Sequence, residues 1–171
     1  YIEDNGKKYL FWGSWYGIWG VELTEDGLGL KGGIENAKAT KIQVAANTGG
    51  TNAYEGSYIL KRGKYYYLFC STGTCCDGAN STYQTVVCRS TELFGPYLNK
   101  SGDNMNDNKH EIVQDDEGKD WIIYHAYRTA DPSLGRVVLL DRVYWDDDDW
   151  PYLVGDGPVV KAEAPTFKKS K

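Results

Sequence analysis

Methionine and histidine are almost missing from this 171-residue chain, with one Met and two His, and proline occurs only five times. So few histidines give little on which to build a metal site. The four cysteines, at 70, 75, 76 and 88, add little to that: two are adjacent, whereas a zinc site needs two spaced pairs. They read as buried or loop-lining thiols. No stretch approaches the roughly 20 apolar residues of a membrane span, and no 3.6-residue periodicity runs long enough for a helix. Clustered basic residues are absent too. The 19 Lys and Arg stand against 24 Asp and Glu, a formal net charge of -5, which argues against a phosphate-binding surface and excludes nucleic acid as a partner. Also missing are a Gly-x-Ser-x-Gly elbow, a phosphate loop and a dinucleotide motif. No signal peptide is visible. The chain opens on Tyr1-Ile2-Glu3-Asp4, without Met and inside a strand pattern, which reads as a mature or cut N-terminus.

What the sequence does carry is aromatic surface: 14 Tyr and six Trp against four Phe. Tyr and Trp join an apolar body to a polar tip, which suits half-exposed strands and sugar-stacking surfaces. A short pattern also returns three times. It runs Asn5-Gly6-Lys7-Lys8-Tyr9-Leu10-Phe11-Trp12, then Arg62-Gly63-Lys64-Tyr65-Tyr66-Tyr67-Leu68-Phe69, then Glu117-Gly118-Lys119-Asp120-Trp121-Ile122-Ile123-Tyr124. The glycines are 57 (63 − 6) and 55 (118 − 63) residues apart, a near-constant period of the kind repeat architectures show.

Within each repeat the glycine turn joins two strands and more follow. The second repeat has strand patterns at 58–60, 65–70, 82–88 and 94–97, and the third at 112–114, 121–125, 136–140 and 143–145. Short hairpins returning about every 55 residues predict an all-β fold, a β-propeller of four-stranded blades. The blades fall at 1–53, 54–109 and 110–160 of one incomplete domain spanning 1–171, with 161–171 as a C-terminal tail. Residues 31–53 and 99–109 read as loops. Propellers usually have 4 to 8 blades, so three imply missing partners for the ring.

Glu55 is the sharpest chemical candidate. It stands where a loop enters the innermost strand of the second repeat, flanked by Tyr54 and Tyr58. An aromatic, partly dry setting suits a general acid, which must hold a proton near neutral pH. Glycoside hydrolysis needs a second carboxylate, roughly 6.5 to 9.5 Å away in an inverting enzyme. Asp4, Asp26, Asp115, Asp116 and the run Asp146 to Asp149 all read as solvated turn residues. The run lacks the spacing and closing glutamate of a calcium loop. His125 lies on the strand 121–127 and reads as a hydrogen-bonded core histidine or a residue facing the central channel. His110 is a candidate metal ligand.

The segments Tyr9-Leu10-Phe11-Trp12-Gly13-Ser14-Trp15, Tyr54-Glu55-Gly56-Ser57-Tyr58-Ile59, Thr74-Cys75-Cys76-Asp77-Gly78, Asn80-Ser81-Thr82-Tyr83, Asp120-Trp121-Ile122-Ile123-Tyr124-His125-Ala126 and Trp145-Asp146-Asp147-Asp148-Asp149-Trp150-Pro151 together resemble glycoside hydrolase family 43, and within it the arabinanases. The resemblance implies a five-bladed β-propeller and hydrolysis with inversion by an aspartate base, a glutamate acid and a second, modulating aspartate. Glu55 matches the acid. The positions of the base and the modulating aspartate precede Tyr1, so the chain resembles the later part of such an enzyme. The resemblance also implies a Gly-His-Asn histidine holding a metal ion, often calcium, at the propeller centre. Here Asn108-Lys109-His110-Glu111 runs into Ile112 without that motif, so His110 is either that histidine in an altered context or, the reading favoured, part of a loop before a missing segment.

By the same resemblance, Ser14, Trp15, Cys75, Cys76, Asn80, Ser81 and His125 belong to the sugar-binding surface. The implied function is an inverting endo-α-1,5-arabinanase, extracellular or periplasmic, with arabinan or a xylan-type oligosaccharide as partner. The alternatives are a β-xylosidase or α-L-arabinofuranosidase of the same family, or a non-catalytic partial propeller that binds carbohydrate. Missing N-terminal blades, or another chain, would complete the ring.

Overall fold

The computed structural model describes residues 1–46, 53–102, 104, 113–114, 119–127, 131–155 and 163–166. Every strand pairing among them is antiparallel. The chain divides into two compact units, Tyr1–Cys75 with Thr82–His110, and Cys76–Ser81 with Glu111–Lys171.

The first unit begins with a four-stranded sheet in sequential order: β1 (Ile2–Asp4), β2 (Lys7–Ser14), β3 (Gly17–Glu22) and β4 (Ile42–Ala45). Asn5 and Gly6 both take positive φ, 50° and 73°, between the paired Asp4 and Lys7. This two-residue turn matches the right-handed twist of the flanking strands, which is why Asn-Gly forms it. The three-stranded sheet β5 (Glu55–Arg62), β6 (Tyr65–Thr72) and β7 (Gln84–Ser90) follows. Gly63, at φ 57°, turns β5 into β6. Two of the three repeat glycines thus make the predicted hairpins, and Gly118 lies outside the described residues.

β6 is the centre of its sheet and almost wholly buried, as a continuous apolar run between turn signals dictates. Leu68, Cys70, Val86, Cys88 and Tyr97 join Phe11, Ile18 and Tyr54 in one core cluster. Each fully buried large side chain contributes about 1.5–3 kcal/mol of transfer free energy. Cys70 and Cys88 are buried there and Cys75 and Cys76 are exposed.

Three elements of this unit differ from the sequence expectation. Residues 31–53, expected as loop, contain helix α1 (Gly33–Thr40) as well as strand β4. Helix α1 carries an exposed ion pair, Lys38 with Glu35 at 2.7 Å. Ala37 is its buried residue, so it shows no apolar stripe for a period to reveal. The expected strand at 94–97 reduces to a bridge, with the N–H groups of Leu98 and Arg89 each donating to the other's carbonyl at 2.9 Å. Pro96 has no N–H to give a ladder. Phe94 instead packs on Tyr9 and Phe11.

In the second unit, β8 (Val113–Gln114), β9 (Asp120–Tyr127) and β10 (Arg136–Arg142) form a three-stranded sheet. The expected fourth strand, β11 (Tyr144–Trp145), pairs with β12 (Pro151–Tyr152) rather than with β10. The aspartate run between them makes the turn. Asp146 Oδ1 accepts from the backbone N–H of Asp148 at 3.0 Å and of Trp150 at 2.8 Å, the usual way a short carboxylate side chain caps a turn. Trp121, Ile122, Val143 and Trp150 are the buried apolar residues here among those described. Two carboxylates are buried with them. Asp120 accepts from the Trp145 indole and Asp141 from the Tyr124 phenol, each at 2.6 Å.

Candidate active site

Glu55 opens β5, just after the buried Tyr54. It pairs with Ser71 on β6, and the register then breaks between Glu55 and Tyr58, with Gly56 at φ 60°. A bulge of this kind re-aims a side chain at the end of a strand. Ser14, the last residue of β2, donates to Glu55 Oε1 at 2.5 Å. Tyr83, just before β7, donates to Oε2 at 2.9 Å. Burial and then the hydrogen bond to Glu55 push the Tyr83 phenol up to about 12. Tyr83 is therefore a fixed donor at any working pH.

Both oxygens of a half-buried carboxyl are thus held by neutral hydroxyls, and no lysine or arginine among the described residues is ion-paired with it. That matters chemically. A carboxyl gripped by neutral donors can gain and lose a proton without stranding a buried partner charge, whereas an ion-paired one cannot. Because Tyr83 must donate to Oε2, the proton of a neutral Glu55 belongs on Oε1, where the Ser14 hydroxyl can donate or accept.

Of the residues expected on a sugar-binding surface, Ser14 turns out to hold Glu55. Trp15 is exposed at the tip of the β2–β3 hairpin, beside Tyr16. Cys75 belongs to the same unit, whereas Cys76, Asn80, Ser81 and His125 belong to the second. Asn80 closes a single 3-10 turn, and Ser81 Oγ accepts from the Asp77 N–H at 3.0 Å. His125 is exposed on β9, opposite Val138. The core-histidine expectation is therefore corrected: Asp120, Trp121 and Ile122 are buried at the start of β9, whereas Ile123 and His125, further along the strand, are exposed. His110, Asp115 and Asp116 lie outside the described residues. Among the described residues no group of three or more His, Cys, Asp or Glu could hold a metal, so no step is routed through calcium.

Asp4 is a second correction. Rather than a solvated turn residue it is buried, 8% exposed, at the end of β1. Lys61 on β5 donates to it and also to the Tyr66 hydroxyl at 2.8 Å. Burial pushes the Asp4 carboxyl up, but hydrogen bonds from Lys61 and Tyr66 outweigh it and leave the carboxyl below its ordinary value. Lys61 and Tyr66 face each other across β5 and β6, a pairing legible once register is known. Tyr83 is harder to place for the same reason: 28 residues of sequence separate it from Glu55, and only the three-stranded β5-β6-β7 sheet brings them together.

The family model described as glycosyl hydrolases family 43 matches residues 1–151. The extracellular exo-alpha-(1->5)-L-arabinofuranosidase of Cellvibrio japonicus is 33% identical over 169 residues, covering 87% of this chain and 48% of that protein. The arabinan endo-1,5-alpha-L-arabinosidase A of Aspergillus aculeatus is 34% identical over 144 residues, covering 80% and 43%. Among solved structures, an exo-1,5-alpha-L-arabinanase from a bovine ruminal metagenomic library superposes with a TM-score of 0.75 at 32% identity, over 91% of this chain and 55% of that one. The Cellvibrio cellulosa alpha-L-arabinanase complexed with arabinohexaose gives 0.72 at 30% identity, over 88% and 54%. The chain spans about half the length of the curated relatives it matches.

Proposed function

Because this chain belongs to glycosyl hydrolase family 43, we propose that it carries the general acid of an arabinan-degrading, inverting glycoside hydrolase that acts outside the cell, and that Glu55 is that acid. One observation carries the assignment: Glu55 is a half-buried carboxyl held at both oxygens by the hydroxyls of Ser14 and Tyr83. In the step envisaged, Glu55 gives its proton to the glycosidic oxygen as the bond from that oxygen to the anomeric carbon breaks. Water adds to that carbon from the opposite face and loses a proton to a carboxylate base, so configuration inverts. Ser14 and Tyr83 keep the acid in place. The base and the modulating aspartate come from outside residues 1–171.

The reading includes a five-bladed propeller in which 1–53, 54–109 and 110–160 are three blades and 161–171 a tail. The four-stranded antiparallel β1–β4 sheet supports the first of these blades. Arabinan is supported by the names of the relatives, and an extracellular site by two that are named extracellular. Exo action is the second reading, favoured by the exo-acting Cellvibrio japonicus and rumen enzymes.

Incubation with debranched arabinan decides. An endo enzyme releases a ladder of short oligosaccharides, and an exo enzyme a single small product. Glu55→Gln lowers the rate by about 10²- to 10⁴-fold. Unchanged turnover in that variant removes Glu55 from the mechanism, and release of xylose alone from xylo-oligosaccharides replaces arabinan as the substrate. Arabinan binding without turnover assigns a non-catalytic role.

A further inference from the structure

The first unit contains a cleft of about 360 Å³ lined by none of the residues that hold Glu55, within the range of small-molecule sites. Its aromatic wall is Tyr9 and Phe94, which meet edge to face with centroids 5.4 Å apart. Ile42 of β4 and the helix α1 complete it. Glu22 and Lys31 both line the cleft and bind each other at 2.6 Å. The hydrogen bond from Lys31 holds the Glu22 carboxyl below its ordinary value, so both remain charged and cancel within the lining, while Lys7, outside it, stands 3.8 Å from the other Glu22 oxygen.

Hydrogen-bonding capacity is left over on several sides. Asn36 donates from Nδ2 to the Lys31 carbonyl at 2.8 Å, which leaves its Oδ1 to accept. Lys31 Nζ has further protons to give, and the second Glu22 oxygen can accept. The Tyr9 hydroxyl makes no hydrogen bond among the described residues. Burial raises the Tyr9 phenol, so it stays a neutral donor.

A charged ligand meets a like charge here whichever sign it carries. A neutral ligand with both donors and acceptors, and with C–H faces to lay on an aromatic ring, meets complementary groups throughout. We propose that this cleft is a second carbohydrate site, taking one neutral sugar unit between the Tyr9–Phe94 wall and the polar group of Glu22, Lys31 and Asn36. It rests on the reading of the chain as an arabinan enzyme only for the choice of sugar. Its place in the fold would let the protein hold a polysaccharide at a point other than the one it cleaves.

The test is an NMR titration of the whole isotope-labelled chain with methyl α-L-arabinofuranoside and methyl β-D-xylopyranoside, with inorganic phosphate as the charged control. The expected result is saturable shifts at Tyr9, Asn36 and Phe94 with a millimolar dissociation constant for at least one sugar and none for phosphate. Tyr9→Phe and Asn36→Ala each weaken binding about threefold to tenfold, the worth of one hydrogen bond, while their amide spectra stay dispersed. Glu55→Gln leaves the cleft shifts unchanged. Absence of saturation with both sugars, shifts confined to Ser14, Glu55 and Tyr83, equal binding of phosphate, or unweakened binding in both folded variants overturns the proposal. No turnover is measured, so a failure of the Glu55 mechanism leaves the cleft result standing, and the reverse also holds.

Discussion

Glu55 illustrates how much chemistry two hydroxyls can set. Tyr83 stays protonated up to about 12, and its raised value means the phenol-to-carboxylate hydrogen bond is fully present below the ordinary 10.0 and lost only as pH rises through about 12. No alkaline limb of activity near neutrality can therefore come from Tyr83. Tyr83→Phe removes a charge-assisted bond of about 1.5–3 kcal/mol. It should lower kcat on arabinan about tenfold or more with little change in KM, because the lost contact is to the acid and not to the sugar. An unchanged kcat, or a loss confined to KM, would place Tyr83 outside the acid's support. The place of Glu55 at the entry of β5 was legible in the sequence, since a lone carboxylate between tyrosines where a loop meets a strand is a recognisable arrangement. Its two holders were not equally so: Ser14 was noticed but given to the substrate, and Tyr83 depends on a bulged register that alternation alone does not reveal.

At the scale of elements, strands were readable wherever alternating aromatics ended in a glycine turn, and elements were unreadable where an apolar stripe is missing or a pairing is lost. Helix α1 lacks an apolar stripe, and Pro96 removes a donor from what looked like a strand. The β2–β3 hairpin carries Ser14 to Glu55 and holds two glycines at positive φ, Gly13 and Gly17. Gly13 sits at φ 147°, and a Cβ there would lie 2.0 Å from the Gly17 carbonyl oxygen. Gly13→Ala should destabilise the chain by about 1–3 kcal/mol and displace Ser14, visible as a lowered urea midpoint together with reduced turnover. The β1–β2 hairpin is tied to β5 by Asp4 and Lys61. Since the Asp4 carboxyl lies below its ordinary 3.8, this tie contributes fully above that pH and is lost as pH falls beneath it. Asp4→Asn should lower the thermal midpoint by about 2–4 °C near neutrality, and the gap from the parent should close as pH drops below about 4. A gap that persists in acid would show that packing, not charge, holds the corner.

For the whole molecule the decisive question is where the second carboxylate comes from. The buried carboxylates of the described residues are engaged: Asp4 with Lys61, Asp120 with the Trp145 indole, Asp141 with the Tyr124 phenol. Asp146 serves the β11–β12 turn, and Asp115 and Asp116 lie outside the described residues. On the mechanism proposed above, Glu55 can protonate a leaving group without a base beside it, so the deficit of this chain is nucleophile activation, worth on the order of 10²- to 10⁴-fold. A small anion that needs no deprotonation bypasses that deficit. Azide should therefore raise the rate of arabinosyl release by this chain in proportion to its concentration and yield the inverted arabinosyl azide. The Glu55→Gln variant should respond far less, because its leaving group still departs unprotonated. Efficient hydrolysis by the chain without azide, insensitive to added anion, would mean that a base resides within residues 1–171 after all, and Asp115 and Asp116 would be the first substitutions to make.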